Sequence, residues 1–548
     1  MRKRLWPLAL LPLLIGCVWI SRLSPTPRPT PVSTPTRAPT STPTQASTPT
    51  PTVAPRSSTP SATPPSTATV TYATPVAFAS PDWNDLAPYR QAMLPAFVGD
   101  VDRFADATRY WIDLRVDLDQ LALQGTERVR YTNHETATLT EIAFRLLPSL
   151  PGYGGSLTVR SVMLNGAPAT SRLEFEGSAL YVPLAAPLAP GEMAELALEF
   201  EGRIPSGTTN SGQPMSGYAQ YGYIDRVLAL PNAYPMIPVY DDEGWNVEVA
   251  PPYGDAGFTD TSLYLVQVTL PADMVVAASG VKVARRDNGN GTVTHAFASG
   301  PMRDVNVVAS AAYKTAQATV GQVRVTSYYL SGDEAGGERA LGYAARALAI
   351  YEDLIGPYPF TELDVMATPT QAGGIEYPGL IVIAEHLYSQ TGGFFELATV
   401  HETAHQWWYS LVGNDQLDEP WLDEALAQYT SLLYLERRYG SEIAQSELGT
   451  QFDSAYQRLR DNDLDMPIGL PVAAYTEPLY GAVVYYKGPL FFRALRQQVG
   501  DQRFDAILRA YFQAYRYGVA YPQDFLAIAE RVSGQQLDGL YKEWILGK

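Results

Sequence analysis

From residue 110 onward, apolar and polar positions alternate with a period of two. Ile112, Leu114, Val116 and Leu118 point one way, and Asp113, Arg115, Asp117 and Asp119 point the other. That is the pattern of a strand buried on one face. Strand-like runs recur at 128–133, 157–164, 194–201, 262–270, 275–278 and 305–312. The runs 281–285 and 292–297 flank Asp287-Asn288-Gly289-Asn290-Gly291, a hairpin turn signal. Residues 107–316 therefore predict an all-β sandwich or saddle domain. Ahead of it, 81–106 is a helical lead-in with Trp83, Leu86, Tyr89, Met93 and Phe104 as contacts. Pro88 and Pro95 break that lead-in into short pieces. Behind it, 317–548 changes character: a β segment at 322–330, a helix over 333–355 stopped by Gly356-Pro357-Tyr358-Pro359, strands at 363–367 and 380–383, then a mainly helical remainder. The chain reads as a multidomain α+β protein.

The first 80 residues follow neither period. Arg2, Lys3 and Arg4 form a basic start, residues 5–15 are an apolar run too short to span a bilayer comfortably, and Leu14-Ile15-Gly16 leads to Cys17. Segment 1–17 resembles a bacterial lipoprotein signal, cleaved before a cysteine that receives lipid; the alternative is an uncleaved signal anchor reaching Ile20. Either reading predicts an exported, cell-surface protein tethered to a membrane. Residues 18–80 are dominated by Pro, Thr, Ser and Ala, with nothing to bury, and predict an extended, disordered linker. Cys17 is the only cysteine, so no intramolecular disulfide is possible and the cores must carry stability. The formal charge of −18 argues against nucleic acid as a partner of the folded part.

Residues 397–424 concentrate the chemistry. Leu397, Val400, Ala404, Trp408 and Leu411 form a stripe at helical spacing that Gly413 and Asn414 would stop. On that helix lies His401-Glu402-Thr403-Ala404-His405. Two histidines four apart share a face, one turn above the other, and offer two imidazole nitrogens to one zinc ion. Glu402 flanks the metal without binding it, placed to take a proton from the attacking water. A catalytic zinc needs a third protein ligand and an open fourth position. Pro420 suits the first turn of a second helix over 420–438. Eighteen residues lie between His405 and Glu424, a length over which an antiparallel return can bring Glu424 back over the histidine pair.

This spacing, with Glu424 inside Trp421-Leu422-Asp423-Glu424-Ala425, resembles the gluzincin metallopeptidases of the aminopeptidase N family, here in a two-domain bacterial lipoprotein form. The resemblance implies a β-saddle domain followed by a thermolysin-like, mainly helical catalytic domain. It implies one zinc per chain on His401, His405 and Glu424, with Glu402 as general base. Gly373-Gly374-Ile375-Glu376-Tyr377-Pro378 is similar to the family's exopeptidase motif. By that resemblance Gly373 and Gly374 line the substrate backbone and Glu376 binds the free α-amine. Tyr485-Tyr486-Lys487-Gly488 resembles the family's Y-x-K-G, whose first tyrosine, here Tyr485, supports the oxyanion; Tyr480 is a second candidate. The activity implied is removal of N-terminal residues from peptides. The alternatives are a zinc endopeptidase or other gluzincin hydrolase, and a catalytically inactive surface binding protein. For a second polar anchor to the amine, the β domain offers Gln220.

Overall fold

The computed structural model describes residues 82–209, 218 and 220–548; the signal segment with Cys17 and the linker through residue 80 lie outside these. The lead-in forms two short pieces, Ala87–Arg90 and Val98–Phe104. Tyr89 and Met93 are buried against the helical part of the chain, so the lead-in acts as a strap rather than a spacer.

The alternating run at 109–117 becomes strand Arg109–Asp117, near the middle of an eight-stranded sheet. It pairs antiparallel with Ala122–Thr132 and parallel with Leu263–Pro271. A five-stranded sheet containing Val227–Pro231 and Asn306–Ser310 packs against it, with a three-stranded sheet of Leu139–Arg145, Arg172–Glu174 and Ala179–Leu188 alongside. Ile112, Leu114, Val129, Phe144, Leu198 and Val268 meet in one β-domain core.

The second sheet system starts inside strand Tyr313–Val320, which runs across the 316/317 boundary expected from sequence and pairs with Val323–Leu330. From there the connections are parallel: Val323–Leu330 to Glu362–Thr368 through helix Glu334–Leu354, then to Leu380–Ala384. The last strand, Gly374–Ile375, is antiparallel and forms the sheet edge. Helices Gly393–Ala404, Glu424–Tyr439, Gly488–Val499, Asp501–Tyr515 and Pro522–Ser533 share the large core on this side.

Two helix limits differ from the sequence expectation. The histidine helix ends at Ala404 instead of continuing to Leu411. Beyond it the two tryptophans are pulled apart: the Trp407 indole donates to Gly356 O (2.9 Å) and the Trp408 indole to Thr430 Oγ1 (2.9 Å). The backbone turns back between them, with Tyr409 at φ 121°. The second ligand helix begins at Glu424 and not at Pro420, because Asp423 caps it: Asp423 Oδ1 accepts from Glu424 N at 2.8 Å.

Candidate metal and active site

The two helix ends bring three ligand atoms into a near-regular triangle. His401 Nε2 and His405 Nε2 lie 3.1 Å apart, His401 Nε2 and Glu424 Oε2 3.2 Å, and His405 Nε2 and Glu424 Oε2 3.3 Å. A tetrahedral zinc with bonds of 2.0–2.1 Å needs ligand–ligand edges of about 3.3 Å. The triangle thus matches one face of such a site. The His405 tautomer is set as well. Its Nδ1–H donates to Trp408 O at 2.8 Å, leaving Nε2 as the electron-pair donor. The helix break after Ala404 is therefore part of the site, because it presents the Trp408 carbonyl to the imidazole.

Charge in the cluster points the same way. Burial pushes the His405 imidazole down, but the carboxylates of Glu424, Glu376 and Asp423 outweigh burial and hold it well above its ordinary value. Burial would raise Glu424, yet His405 and His401 hold it well below the usual carboxylate range. His401 is lowered, chiefly by burial. These ligands form a sheltered anionic pocket that calls for a cation. His401, His405 and Glu424 thus fit a divalent metal.

Around the triangle, Tyr485 donates its hydroxyl to the other Glu424 oxygen, Oε1, at 2.5 Å. The ring of Tyr480 packs edge-on against Tyr485, and its buried hydroxyl has no partner. Lys487 of the same motif points elsewhere, to Met466 O at 2.7 Å and to Asp465. Glu402 is buried, and burial, then Glu376, push its carboxyl well above the ordinary value. The sheet-edge residue Gly374 passes directly over Glu402. A Cβ at Gly374 would lie 2.5 Å from Glu402 Cγ and 2.6 Å from Cδ. Gly373 O accepts from Ala384 N at 3.1 Å, which holds the turn onto the sheet.

Glu376 is 5 % exposed. Its Oε1 accepts from Gln416 Nε2 at 3.0 Å, and the same amide donates to Asp423 Oδ2 at 2.8 Å. One side chain thus ties the Glu376 carboxylate to the residue that caps the Glu424 helix. Gln406, next to His405, fixes the opposite side. It accepts from Gly379 N at 2.8 Å and donates to Tyr377 O at 3.1 Å. Glu376 opens on a narrow cleft of about 30 Å³ that Tyr153, Gln220, Asn232 and Asp255 of the β domain also line. Asp255 brings a carboxylate oxygen within 4.8 Å of Glu376 and Glu424 oxygens. Its acid is raised by burial, then by Glu376 and Glu424.

All eight residues expected from sequence for metal, catalysis and substrate converge here. Gln220 reaches the same cleft, with Tyr153 donating to its Oε1 at 3.4 Å. Sequence reasoning missed Gln406, Gln416, Asp423, Asn232 and Asp255. Only Asp423 carried a signal, as an aspartate directly before a helix. The others act through contacts between distant loops.

Hydrogen bonds close the seam between the halves, the one from Arg303 to Tyr409 being buried. Arg303 donates to Tyr409 O at 2.7 Å and to Thr259 O at 2.9 Å. Tyr253 donates to Tyr475 O at 2.8 Å, and Tyr218 to Glu477.

Comparison with known proteins agrees with this arrangement. The chain is 26% identical over 499 residues to Aminopeptidase M1-C of Oryza sativa subsp. japonica, covering 83% of this chain and 50% of that protein. It is 27% identical over 300 residues to Aminopeptidase M1 of Arabidopsis thaliana, covering 51% of this chain and 33% of the relative. The chain thus spans about half or less of the length of these curated relatives. In fold it is similar to the crystal structure of an M1 zinc metallopeptidase from Deinococcus radiodurans. That likeness has a TM-score of 0.62 at 24% identity and covers 80% of this chain and 93% of that one. The Peptidase family M1 domain matches residues 339–544, which hold the exopeptidase-like turn, the three ligands, Glu402 and Tyr485. Residues 339–544 of this chain belong to peptidase family M1.

Proposed function

We propose that this protein is a zinc aminopeptidase that releases N-terminal residues from peptides. The observation that carries the reading is Glu376: a buried carboxylate beside the metal triangle, held by Gln416 and open to a cleft on its other side. A bare endopeptidase cleft has no use for a fixed anion at that place. The ligand set His401, His405 and Glu424 suits zinc, held in one copy per chain. When bound, zinc supplies an activated water and polarises the scissile carbonyl.

The chain's own residues supply the rest. An extended peptide adds to the free edge of strand Gly374–Ile375, so main-chain hydrogen bonds hold the scissile bond in register. Glu376 takes the α-ammonium and stops the peptide one residue past the metal. Glu402 accepts the proton of the attacking water and returns it to the leaving amine. Burial raises its affinity for protons, which suits a group that must hold the proton between the two steps. Tyr485 steadies Glu424 through Oε1 and lies within reach of the oxyanion that develops.

Losing the charge-assisted contact at Glu376 costs about 1.5–3 kcal/mol, or about 10- to 150-fold. Glu376→Ala should therefore raise KM for free-amine reporters by that factor while leaving bound zinc at one per chain. An unchanged KM contradicts the assignment.

We further propose that the protein is exported and anchored by lipid on Cys17. Its support is the basic start at Arg2-Lys3-Arg4, the short apolar run and Leu14-Ile15-Gly16 before the cysteine. Mass spectrometry of the native N-terminus tests it. A chain starting at lipid-modified Cys17 is expected, and an intact segment through Cys17 favours the signal anchor instead.

A further inference from the structure

The helix break after Ala404 aims the Trp408 carbonyl at His405, and it depends on a backbone conformation that the next residue disfavours. Tyr409 sits at φ 121°. Glycine reaches that region freely, whereas a tyrosine Cβ meets its own backbone there. Such a conformation persists only where the surroundings impose it. Part of the hold is local: Tyr409 N donates to Val412 O at 2.8 Å and Ser410 N to His405 O at 3.0 Å. The rest comes from the β domain.

Arg303 and Asp304, just ahead of strand Asn306–Ser310, grip Tyr409 at both ends. The Arg303 Nε–H donates to Tyr409 O at 2.7 Å, and the Tyr409 hydroxyl donates to Asp304 Oδ2. The grip is itself fixed. Arg303 also donates to Thr259 O at 2.9 Å and to Gly518 O, so its fork joins the β domain, the Tyr409 turn and the loop before helix Pro522–Ser533. The Arg303 carbonyl accepts from the Tyr264 hydroxyl at 2.7 Å and from Thr259 Oγ1 at 2.9 Å. The other Asp304 oxygen, Oδ1, accepts from Asn306 Nδ2 at 2.5 Å. Both side chains are buried. Gly413 leaves room for the guanidinium: a Cβ there would lie 2.5 Å from Arg303 Nη1. Burying a guanidinium against main-chain carbonyls is costly where an apolar side chain would fill the space. Its rigid fork suits the different task of holding three chain segments at one spacing.

We propose that Arg303 and Asp304 are positioning residues for the metal site: they hold the Tyr409 turn, which keeps the Trp408 carbonyl on His405 Nδ1 and so presents His405 Nε2 as a ligand. The β domain thereby contributes to zinc affinity without supplying a ligand of its own. The Trp408 carbonyl accepts from Nδ1 at 2.8 Å. A partner that orients a ligating histidine in this way is worth about 10- to 100-fold in metal affinity. Zinc affinity is read with no substrate present, so this role stands or falls apart from the aminopeptidase reading.

The test measures zinc affinity of the full chain by chelator competition, beside the visible spectrum of the cobalt(II)-loaded chain and thermal unfolding of the metal-free chain. Arg303→Lys keeps the charge but lacks the fork; it should weaken zinc binding at least tenfold and alter the cobalt spectrum. Tyr409→Phe removes only the hydroxyl bond to Asp304 and should weaken zinc binding at least threefold. Tyr409→Gly relieves the backbone, so the double variant Arg303→Lys/Tyr409→Gly should bind zinc at least threefold more tightly than Arg303→Lys alone. A hold acting through the turn predicts that rescue, and general support of the fold does not. Zinc affinity within twofold of the parent in both Arg303→Lys and Tyr409→Phe overturns the role. So does a double variant as weak as Arg303→Lys alone, which would make Arg303 a plain support of the domain seam. If Arg303→Lys does not fold, Tyr409→Phe decides alone, and unchanged zinc affinity there overturns the role.

Discussion

Gly374→Ala tests how closely the sheet edge and the general base are fitted. No positive φ is recorded at Gly374, so the backbone accepts alanine and the effect is one of space alone. The added methyl would sit 2.5 Å from Glu402 Cγ, whereas ordinary contact begins at 3.4 Å. Either the Glu402 carboxylate or the edge strand must therefore shift by about 1 Å. Glu402 is 5 % exposed and has little room to give way. A misplacement of about 1 Å in a reacting group costs about 100-fold in rate. The contribution of a general base, about 10²- to 10⁴-fold, sets the ceiling. The expected result is a fall in kcat of about 100-fold with zinc content unchanged and Tm close to the parent, since the three atoms nearest the methyl all belong to Glu402. The assay is steady-state hydrolysis of an aminoacyl reporter, with metal analysis and thermal unfolding on the same sample. A kcat within threefold of the parent would refute the claim that Gly374 makes room for Glu402.

Other outcomes follow from the same geometry. His405→Ala should lose most of its zinc, whereas Glu402→Gln should keep one zinc per chain and lose turnover; metal analysis beside activity separates the two. Tyr485→Phe removes an oxyanion donor, for an expected loss of about 10²–10³ in kcat. It also removes the support of Glu424 Oε1, so zinc affinity in a chelator competition should weaken by about 10- to 100-fold. Glu127, in the β-domain core, is 1 % exposed and neither of its oxygens has a partner; burial pushes its acid well above the ordinary value. The folded chain then binds a proton that the unfolded chain releases above about pH 4.5, so this group destabilises the fold increasingly as pH rises. Glu127→Gln cannot ionise. Its stability relative to the parent should rise by about 1.4 kcal/mol per pH unit above pH 5, until the folded parent itself releases the proton. Denaturant melts at pH 5, 6 and 7 read this directly, and a pH-independent difference contradicts it.

Much of this was legible because two signals are strictly local. A four-residue spacing places His401 and His405 on one helical face whatever surrounds them, and period-two alternation marks Arg109–Asp117 without help from the fold. Strands buried on both faces lose that alternation. Leu139–Arg145 and Val227–Pro231 are almost wholly buried, so they carry no period to read. The early end of the histidine helix was hidden for a different reason. Trp407 and Trp408 are anchored to Gly356 and Thr430, contacts 51 and 22 residues away in sequence. Gln416 looks like an ordinary loop residue until folding brings Glu376 and Asp423 to its two sides. Asn232 and Asp255 gain meaning only where the β domain closes over the cleft.

The central claim is that a fixed anion beside a zinc triangle makes this an exopeptidase. One measurement tests it most directly: mass-spectrometric mapping of products from one peptide offered with a free and with an acetylated N-terminus, with and without chelator. The account predicts stepwise loss of N-terminal residues from the free peptide, at least tenfold slower cleavage of the acetylated one, and no cleavage after zinc is removed. Internal cleavage of the acetylated peptide at the rate of the free one would contradict it.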